Sequence, residues 1–326
     1  MGEGPAIQVG GLRKSYGPNE AVRGLDFEVQ AGEVFGFLGP NGAGKTTTIE
    51  ILEGYRERTA GEVSVLGADP GRPTRGWRDR IGLVLQACEL NPALTVGETL
   101  SLFSSFYSRP LAVDQAAGLA GLGDRLDVRA GTLSGGERRR LDVAVALIGD
   151  PDLVFLDEPT TGFDPSARRD AWNTIEGLRE LGKTVFLTTH YMDEAQHLSD
   201  RVAILRDGQI VASGSPDELR PQDGATIVSF QIPEGVTPEA LGSKLGGHLE
   251  TSGKLATVRT DDAQRTLYRL TAWAEESGVN LSGLQARRPS LEDVFLELTG
   301  GRSWLTSGSS WSRPASRFSR PRARRG

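Results

Sequence analysis

The first two hundred residues of the chain show two kinds of hydrophobic pattern. The segments IQVGGL and AVRGLDFEV alternate apolar and polar residues, which predicts half-buried antiparallel strands. Other runs are short, continuously apolar and bounded by turn residues: EVFGFLG, RIGLVLQ, DLVFLDEP, TVFLTTH and RVAIL. Runs of this kind are typical of parallel strands that are covered on both faces.

Helical periodicity fills several of the intervals between these runs. It predicts helices over 45–53, 136–148, 166–181 and 192–198. This alternation of strand and helix indicates an α/β domain. Between residues 89 and 131 the strand signal is absent, and the segments TVGETLSLFSSFY and AVDQAAGLAGLG predict an all-helical insertion.

The composition changes at a predicted linker near residues 221–225. Beyond it, the pattern predicts a small α+β domain with a strand over 226–232 and helices over 238–245 and 262–276. A further helix is expected at SLEDVFLELTG, where a serine and an aspartate have capping-box spacing. We therefore predict an α/β domain over 1–220, an α+β domain over 225–300, and a disordered tail over 301–326 that is rich in Ser, Arg, Gly and Pro.

Length and charge limit the possible functions. The 326 residues suit two domains, and the net charge is −6. The tail holds seven arginines and no acids, so the rest of the chain has 30 basic and 43 acidic residues, a net charge of −13. An acidic body argues against specific nucleic-acid binding. A single cysteine, Cys88, and the absence of a secretory signal or a long apolar run predict a soluble intracellular protein.

The segment GPNGAGKTT matches the phosphate-loop pattern G-x-x-x-x-G-K-[ST] between a predicted strand and a predicted helix. Its glycines let backbone N–H groups approach phosphate oxygens, Lys45 would reach the β- and γ-phosphates, and the Thr46 hydroxyl would bind Mg²⁺. The predicted nucleotide contacts of this loop are Gly39, Pro40, Asn41, Gly42, Ala43, Gly44, Lys45, Thr46 and Thr47.

Two acids end the apolar run LVFLDEP. A buried strand delivers Asp157 to the carboxyl edge of the sheet, where it can hold Mg²⁺ directly or through water. Glu158 follows it and could act as the general base toward the attacking water. The plainer alternative is an acid pair that faces solvent, and the phosphate loop upstream makes that alternative less favourable.

A second glycine-containing anion motif is found in LSGGERRRLD. Ser134, Gly135 and Gly136 precede a predicted helix, whose N-terminus is suited to binding an anion. Glu137 adds a negative charge there, which would weaken anion binding modestly. We expect the arginines 138–140 to lie on a solvated helix face.

These motifs together resemble the nucleotide-binding subunit of ATP-binding cassette (ABC) transporters. LSGGE is similar to the family signature LSGGQ, although Glu137 replaces its glutamine. Tyr16 looks like the aromatic residue that stacks on adenine, Gln86 like the Q-loop glutamine, and His190 like the switch histidine. TGFDP, with Asp164, looks like the D-loop, in which a leucine is commoner than phenylalanine. The motifs occur in family order from about residue 7 to residue 214.

The resemblance implies a P-loop NTPase fold: an ABC cassette with an α/β core, an antiparallel β subdomain and a helical subdomain. It implies hydrolysis of ATP with Mg²⁺ bound by Thr46, Gln86 and Asp157. It further implies a homodimer in which Ser134, Gly135 and Gly136 contact the nucleotide of the other copy. Glu158, His190 and Lys45 would be the catalytic residues.

The C-terminal segment PSLEDVFLELTG resembles the drug- and antibiotic-exporter branch of the family, such as the daunorubicin-resistance ATPases. That branch implies separate ABC-2 type permease subunits and a peripheral position at the cytoplasmic face of the membrane. The helical insertion would dock there, although core packing explains the aromatic cluster Phe103, Phe106 and Tyr107 equally well. Three interpretations of the basic tail are open. Solvated disorder without a function is favoured, attraction to anionic lipid is second, and nonspecific nucleic-acid binding is the least favoured. The rival function is a soluble ABC ATPase without a role in transport.

Overall fold

A computed structural model describes residues 4–84, 90–220, 225–237, 241, 249–291 and 293–295. Its strands are β1 Ile7–Tyr16, β2 Asn19–Val29, β3 Val34–Leu38, β4 Ala60–Val65, β5 Ile81–Val84, β6 Leu153–Asp157, β7 Thr184–Thr189, β8 Arg201–Arg206, β9 Gln209–Gly214, β10 Thr226–Gln231, β11 Leu249–Ser252, β12 Leu255–Thr260 and β13 Gln285–Arg287. Its helices are α1 Lys45–Leu52, α2 Arg75–Arg78, α3 Val96–Ser104, α4 Val113–Leu119, α5 Gly135–Leu147, α6 Pro165–Glu180, α7 Met192–Leu198, α8 Pro216–Leu219 and α9 Ala263–Glu276.

The central sheet has the strand order β5-β6-β7-β3-β8-β9. Its first five strands, β5, β6, β7, β3 and β8, are parallel, as the continuously apolar runs predicted. The last strand, β9, pairs antiparallel to β8. Every residue of β3, β6 and β7 is buried, which is why these runs lack alternation. Because β6, β7 and β3 are neighbours, their carboxyl ends meet at one edge of the sheet.

A second, antiparallel sheet has the order β2-β1-β4 and packs on the central sheet. The strands β1 and β2 confirm the alternating pattern. Phe27 of β2 lies 5.7 Å from Phe35 of β3 and 6.1 Å from Phe186 of β7, measured between ring centroids, so one aromatic core joins the two sheets. The edge strands β4 and β9 were not predicted, because half of their positions are polar or exposed.

Helices cover the other face of the central sheet, where α5, α6 and α7 contribute to one apolar cluster. The helices α3 and α4 confirm the helical character of the segment after β5 and pack on α5 through residues such as Leu100, Ala117 and Leu141. The helix α3 begins at Thr95, which forms a capping box with Glu98. None of the helices in the described ranges is both long enough and apolar enough to cross a membrane.

The C-terminal region forms a separate antiparallel sheet with the order β11-β12-β10-β13, packed against α9. The sequence predicted β10 and α9 but not β11, β12 or β13; of these, β11 and β13 are only four and three residues long. Leu291 and Phe295 pack with Leu38 and Ala195, so the chain returns to the α/β core at these two residues. Most of the predicted linker and most of the predicted helix over 238–245 lie outside the described residues. Cys88 and the tail also lie outside them, and the domain boundaries stay predictions.

Candidate active site

The phosphate loop joins the end of β3 to the start of α1. Gly42 and Gly44 have φ angles of 82° and 102°, which residues with a side chain rarely adopt. A Cβ atom on Gly44 would lie 2.7 Å from the carbonyl oxygen of Ala21, and one on Gly39 would lie 2.9 Å from that of Leu205. The concave shape of the loop therefore depends on glycine at these positions.

Lys45 is the first residue of α1, and its side chain returns beneath the loop. Its Nζ donates hydrogen bonds to the carbonyl oxygens of Gly39 at 2.8 Å and of Pro40 at 3.2 Å. It also lies 3.3 Å from Glu158 Oε1. Only 4% of the lysine is exposed, so the ammonium group is fixed at the centre of the loop, where phosphate oxygens can approach it.

Asp157 is the last residue of β6 and is buried. Burial raises the pKa of its carboxyl group, while a hydrogen bond from the Thr188 hydroxyl on β7 opposes that rise. Thr188 is not among the site residues predicted from the sequence. The available signal was the pair of threonines that ends an apolar run directly before His190.

Glu158 leaves β6 with an unusual backbone conformation. Its φ angle is 45°, and residues held in such sparsely populated regions store strain of about 1–3 kcal/mol. The Glu158 N–H group donates hydrogen bonds to the backbone carbonyl oxygen and to the side-chain oxygen of Thr188, each at 3.1 Å. These contacts hold the bend that brings the Glu158 carboxylate to the phosphate loop.

The Glu158 carboxylate has three polar neighbours in the described structure. Its Oε1 faces Lys45, its Oε2 lies 3.3 Å from His190 Nδ1, and the Thr161 hydroxyl donates to Oε2 at 3.1 Å. Burial raises the pKa of Glu158, but the charges of Lys45 and His190 and these hydrogen bonds outweigh it, so the pKa is lowered. The carboxylate is therefore ionised at neutral pH, as a general base must be.

His190 follows β7 and is oriented by its neighbours. The ring of Tyr191 lies 4.1 Å from the His190 ring, and the Arg168 guanidinium of α6 lies 4.3 Å from the centre of the Tyr191 ring. The structure thus brings together the three predicted catalytic side chains, from the start of α1 and from the loops after β6 and β7.

A cleft of about 660 Å³ extends from Tyr16 at the end of β1, along the phosphate loop, to Glu158 and His190. Such a volume lies within the usual range for a small-molecule site. Tyr16 is 40% exposed, with Lys14 Nζ 5.2 Å and the Arg56 guanidinium carbon 5.4 Å from its ring centre. The exposed part of the ring lines the cleft, whereas the two cations do not: Lys14 donates to the Glu57 carbonyl oxygen and Arg56 pairs with Glu50.

The side chains present also fit a magnesium ion. Thr46 is exposed in the first turn of α1 and lines the cleft, while Asp157 ends β6 near Lys45. Hydroxyl and carboxylate oxygens are the ligands that Mg²⁺ prefers. The third predicted ligand, Gln86, lies outside the described residues.

Ser134 forms the N-cap of α5 through a capping box with Glu137. The Ser134 side chain accepts a hydrogen bond from the Glu137 N–H group at 3.3 Å, and Glu137 Oε2 accepts one from the Ser134 N–H group at 3.0 Å. The hydrogen bond from the Ser134 N–H group lowers the pKa of Glu137 most, and the bond with the Ser134 side chain lowers it further. Arg125 Nε lies 3.2 Å from Glu137 Oε1. Glu137 therefore stabilises the start of the helix, and its expected effect on anion binding stays a prediction.

Ser134 and Gly135 are exposed, and Gly136 is half-buried. None of the three lines the cleft that contains the phosphate loop, in the part of the chain that the structure describes. The N-terminus of α5 is therefore open to a second molecule.

The prediction that arginines 138–140 lie on a solvated face is wrong for Arg139. Arg138 is exposed, but Arg139 is only 8% exposed. Its Nε donates to the carbonyl oxygen of Pro159 at 3.1 Å, and its Nη1 lies 3.6 Å from Asp142 Oδ2. This side of α5 faces the loop after β6, which helical periodicity alone does not reveal.

Comparisons with known proteins agree with this geometry. The family model described as "ABC transporter" matches residues 22–161, and an ABC-transporter C-terminal domain matches residues 226–290. A Nod factor export ATP-binding protein of Ralstonia nicotianae is 39% identical over 92% of this chain and 95% of its own length. A daunorubicin resistance ATP-binding protein of Streptomyces coeruleorubidus is 37% identical over 90% and 96%, respectively.

Solved structures show the same fold. A dimeric, post-hydrolysis ATP-binding cassette bound to ADP and Pi matches with a TM-score of 0.57 and 25% identity, covering 64% of this chain and 98% of that one. A bacterial Atm1-family ABC exporter with ATP bound matches with a TM-score of 0.58 and 27% identity, covering 67% of this chain and 40% of that one. The chain therefore belongs to the ABC transporter family, as an ATP-binding subunit of its export branch that couples ATP hydrolysis to transport.

Proposed function

We propose that two copies of the chain enclose two ATP molecules, with each phosphate loop facing residues 134–136 of the other copy. The observation that supports this arrangement is the exposed N-terminus of α5, which stands apart from the chain's own nucleotide cleft. Backbone N–H groups and the helix dipole at such a terminus attract phosphate oxygens. Closure of the dimer then follows from ATP binding the closed state more tightly than the open one.

Within each site the residues of the chain divide the chemistry among them. Lys45 binds the β- and γ-phosphate oxygens, and Tyr16 stacks on the base. Glu158 accepts a proton from the attacking water, and His190 orients that water and the γ-phosphate. Thr46, Asp157 and Gln86 would hold a magnesium ion, which would supply neutralising charge.

The cluster of Lys45, Glu158 and His190 is the single observation that carries this function. Lys45 Nζ and His190 Nδ1 each lie 3.3 Å from the Glu158 carboxylate, whose pKa is lowered despite its burial, at the place where phosphates would bind. A structural role for the acid would not require its strained backbone or its position beside the phosphate loop.

For the membrane partner we propose an ABC-2 type permease, bound at the cytoplasmic face. A cleft of about 810 Å³ lies between α1, α2 and β5 on one side and α3 and α5 on the other. Phe103 and Tyr107 are partly buried against the helical core, whereas Phe106 is 60% exposed and Leu83 38% exposed in this cleft. The aromatic cluster thus serves packing and also leaves an apolar surface for a partner.

The cargo class we propose is a drug, an antibiotic or a lipid-like molecule. The names of the two relatives refer to export of a Nod factor and to daunorubicin resistance. The alternative is a soluble ABC ATPase without a permease, and the exposed apolar cleft argues against it because such a surface is usually covered by a partner.

The substitution Glu158→Gln tests the proposed chemistry. The amide keeps the shape of the side chain but accepts no proton, so we expect ATP turnover to fall by about 10²–10⁴-fold while ATP binding persists. Turnover is measured with the full chain and its permease, and binding with a fluorescent ATP analogue. The control is Glu33→Gln, a buried acid paired with Arg201 at 2.8 Å, which should leave turnover unchanged. Turnover within about tenfold of the unaltered protein in Glu158→Gln would contradict the role.

A further inference from the structure

Glu194 is a fully buried acid on α7 that the chemistry above does not use. Its Oε1 accepts a hydrogen bond from the Thr160 hydroxyl at 2.7 Å and one from the Trp172 indole N–H at 3.3 Å. Thr160 lies in the turn after β6, and Trp172 lies on α6. One carboxylate therefore joins three separate elements of the fold.

The end of β7 leads directly into α7, the helix that carries Glu194. The Thr189 hydroxyl oxygen accepts a hydrogen bond from the Tyr191 N–H group at 2.9 Å, and the Tyr191 carbonyl oxygen accepts one from the Ala195 N–H group at 3.2 Å. These contacts lie on both sides of His190 in the chain. The backbone that carries the switch histidine is thus fixed relative to α7.

The turn that carries Glu158 is fixed at its other end. Thr160 is fully buried two residues after Glu158, and the Thr161 N–H group donates to the Glu158 carbonyl oxygen at 3.2 Å. Because Glu158 has a positive φ angle, the surrounding contacts must hold this conformation in place. The hydrogen bond from Thr160 to Glu194 is a buried contact of that kind.

We propose that Glu194 is a positioning residue, which ties the turn after Glu158 to the end of β7 and so maintains the 3.3 Å approach of Glu158 and His190. This inference rests on the catalytic roles proposed above for these two residues. It assigns Glu194 no contact with nucleotide or water.

The tie does not depend on the ionisation of Glu194. Burial raises the pKa of this carboxyl group, while bonds from Thr189, Thr160 and Trp172 oppose the shift. An oxygen of either the carboxylate or the protonated acid can accept the two bonds made by Oε1. A glutamine in its place also keeps an acceptor oxygen at the same distance from the backbone.

The experiment compares Glu194→Leu with Glu194→Gln by steady-state ATP hydrolysis of the full chain. We expect the leucine variant to lose at least about tenfold in kcat, while its KM for ATP changes by less than about threefold. The glutamine variant should stay within about threefold of the unaltered kcat because its oxygen restores the hydrogen bonds. Thr160→Val, which removes only the donor, should also lower kcat and should add nothing in combination with Glu194→Leu.

Glu33→Leu is the matched control, since Glu33 is also a buried acid of the α/β core but bonds to Arg201 and to the Gln30 N–H group, away from the cleft. Its melting temperature should fall at least as much as that of Glu194→Leu, with kcat within about threefold of the unaltered value. If Glu194→Leu does not fold, the comparison of Thr160→Val with Glu33→Leu carries the test.

The proposal is overturned if Glu194→Leu keeps kcat within about threefold of the unaltered value. It is also overturned if Glu194→Leu loses no more kcat than Glu33→Leu at an equal loss of melting temperature. If Glu194→Leu does not fold, both criteria apply to Thr160→Val. It is also overturned if the losses in kcat of Glu194→Leu and Thr160→Val are additive. Glu158→Gln is measured alongside. If that variant is inactive while Glu194→Leu is normal, only the positioning role fails; if Glu158→Gln turns over, the proposed function itself fails.

Discussion

Alanine substitution of Gly44 and Gly42 separates two reasons for glycine in the phosphate loop. Both residues have positive φ angles, so either alanine would be strained. Only Gly44 has a close neighbour, because its Cβ atom would lie 2.7 Å from the Ala21 carbonyl oxygen, whereas that of Gly42 would meet no atom within 4 Å. Gly42→Ala is therefore a control for backbone strain without collision.

The expected magnitudes follow from these two contributions. Strain from a left-handed alanine costs about 1–2 kcal/mol, and the loss of chain freedom in the unfolded state offsets about 0.4–1 kcal/mol of it. Gly42→Ala should therefore destabilise the protein by about 1 kcal/mol. The collision at Gly44 adds about 1–3 kcal/mol, because a backbone carbonyl must shift to relieve it. The melting temperature of Gly44→Ala should lie at least about 3 °C below that of Gly42→Ala.

The assay is thermal unfolding of the full chain without nucleotide, followed through the transition that Mg²⁺ and ATP raise in the unaltered protein. That shift identifies the nucleotide-binding domain, because a ligand stabilises only the unit that binds it. Gly44→Ala should also bind ATP more weakly than the unaltered chain. Equal melting temperatures for the two variants would refute the steric argument, since strain alone would then explain both.

Two further predictions concern the antiparallel sheet and the docking cleft. The Arg58 guanidinium hydrogen-bonds both carboxylate oxygens of Asp69 and, despite some desolvation, holds the pKa of Asp69 at about 2, below its ordinary value of 3.8. This stabilisation is present above pH 3.8 and is lost as the pH falls towards 2. Arg58→Met should therefore lower the free energy of unfolding, measured by urea titration, by under about 1 kcal/mol at pH 7, because the pair is exposed, and by less at pH 3. An equal loss at both pH values would contradict the pairing. Phe106→Asp should leave ATP binding intact but reduce co-sedimentation with permease-containing membranes, and unchanged co-sedimentation would argue against docking at this cleft.

Much of the site could be predicted because its residues lie at the ends of apolar strands. Continuous burial of β3, β6 and β7 produces runs that are visible in sequence, and the parallel arrangement places the residues after them at one edge. Edge strands such as β4 and β9 are only half-buried, and their weaker patterns were missed. Local pattern is informative where both faces of an element are covered.

Other features depend on how elements pack. Arg139 is one of three consecutive arginines, and only the packing of α5 against the loop after β6 distinguishes it from its neighbours. Glu194 likewise meets its partners Thr160 and Trp172 from distant parts of the chain. Glu137 is different, since the spacing S-x-x-E was present in the sequence and could have predicted its capping role.

The most direct test of the shared nucleotide sites mixes two inactive variants of the full chain. Lys45→Ala disables the phosphate loop, and Ser134→Arg blocks the N-terminus of α5 without touching the chain's own cleft. In a mixed dimer, the intact phosphate loop of the Ser134→Arg copy faces the intact α5 terminus of the Lys45→Ala copy. We therefore expect ATP hydrolysis to reappear on mixing, although each variant alone is inactive. No recovery in mixtures shown to contain the heterodimer would contradict the proposal that each site is built from two chains.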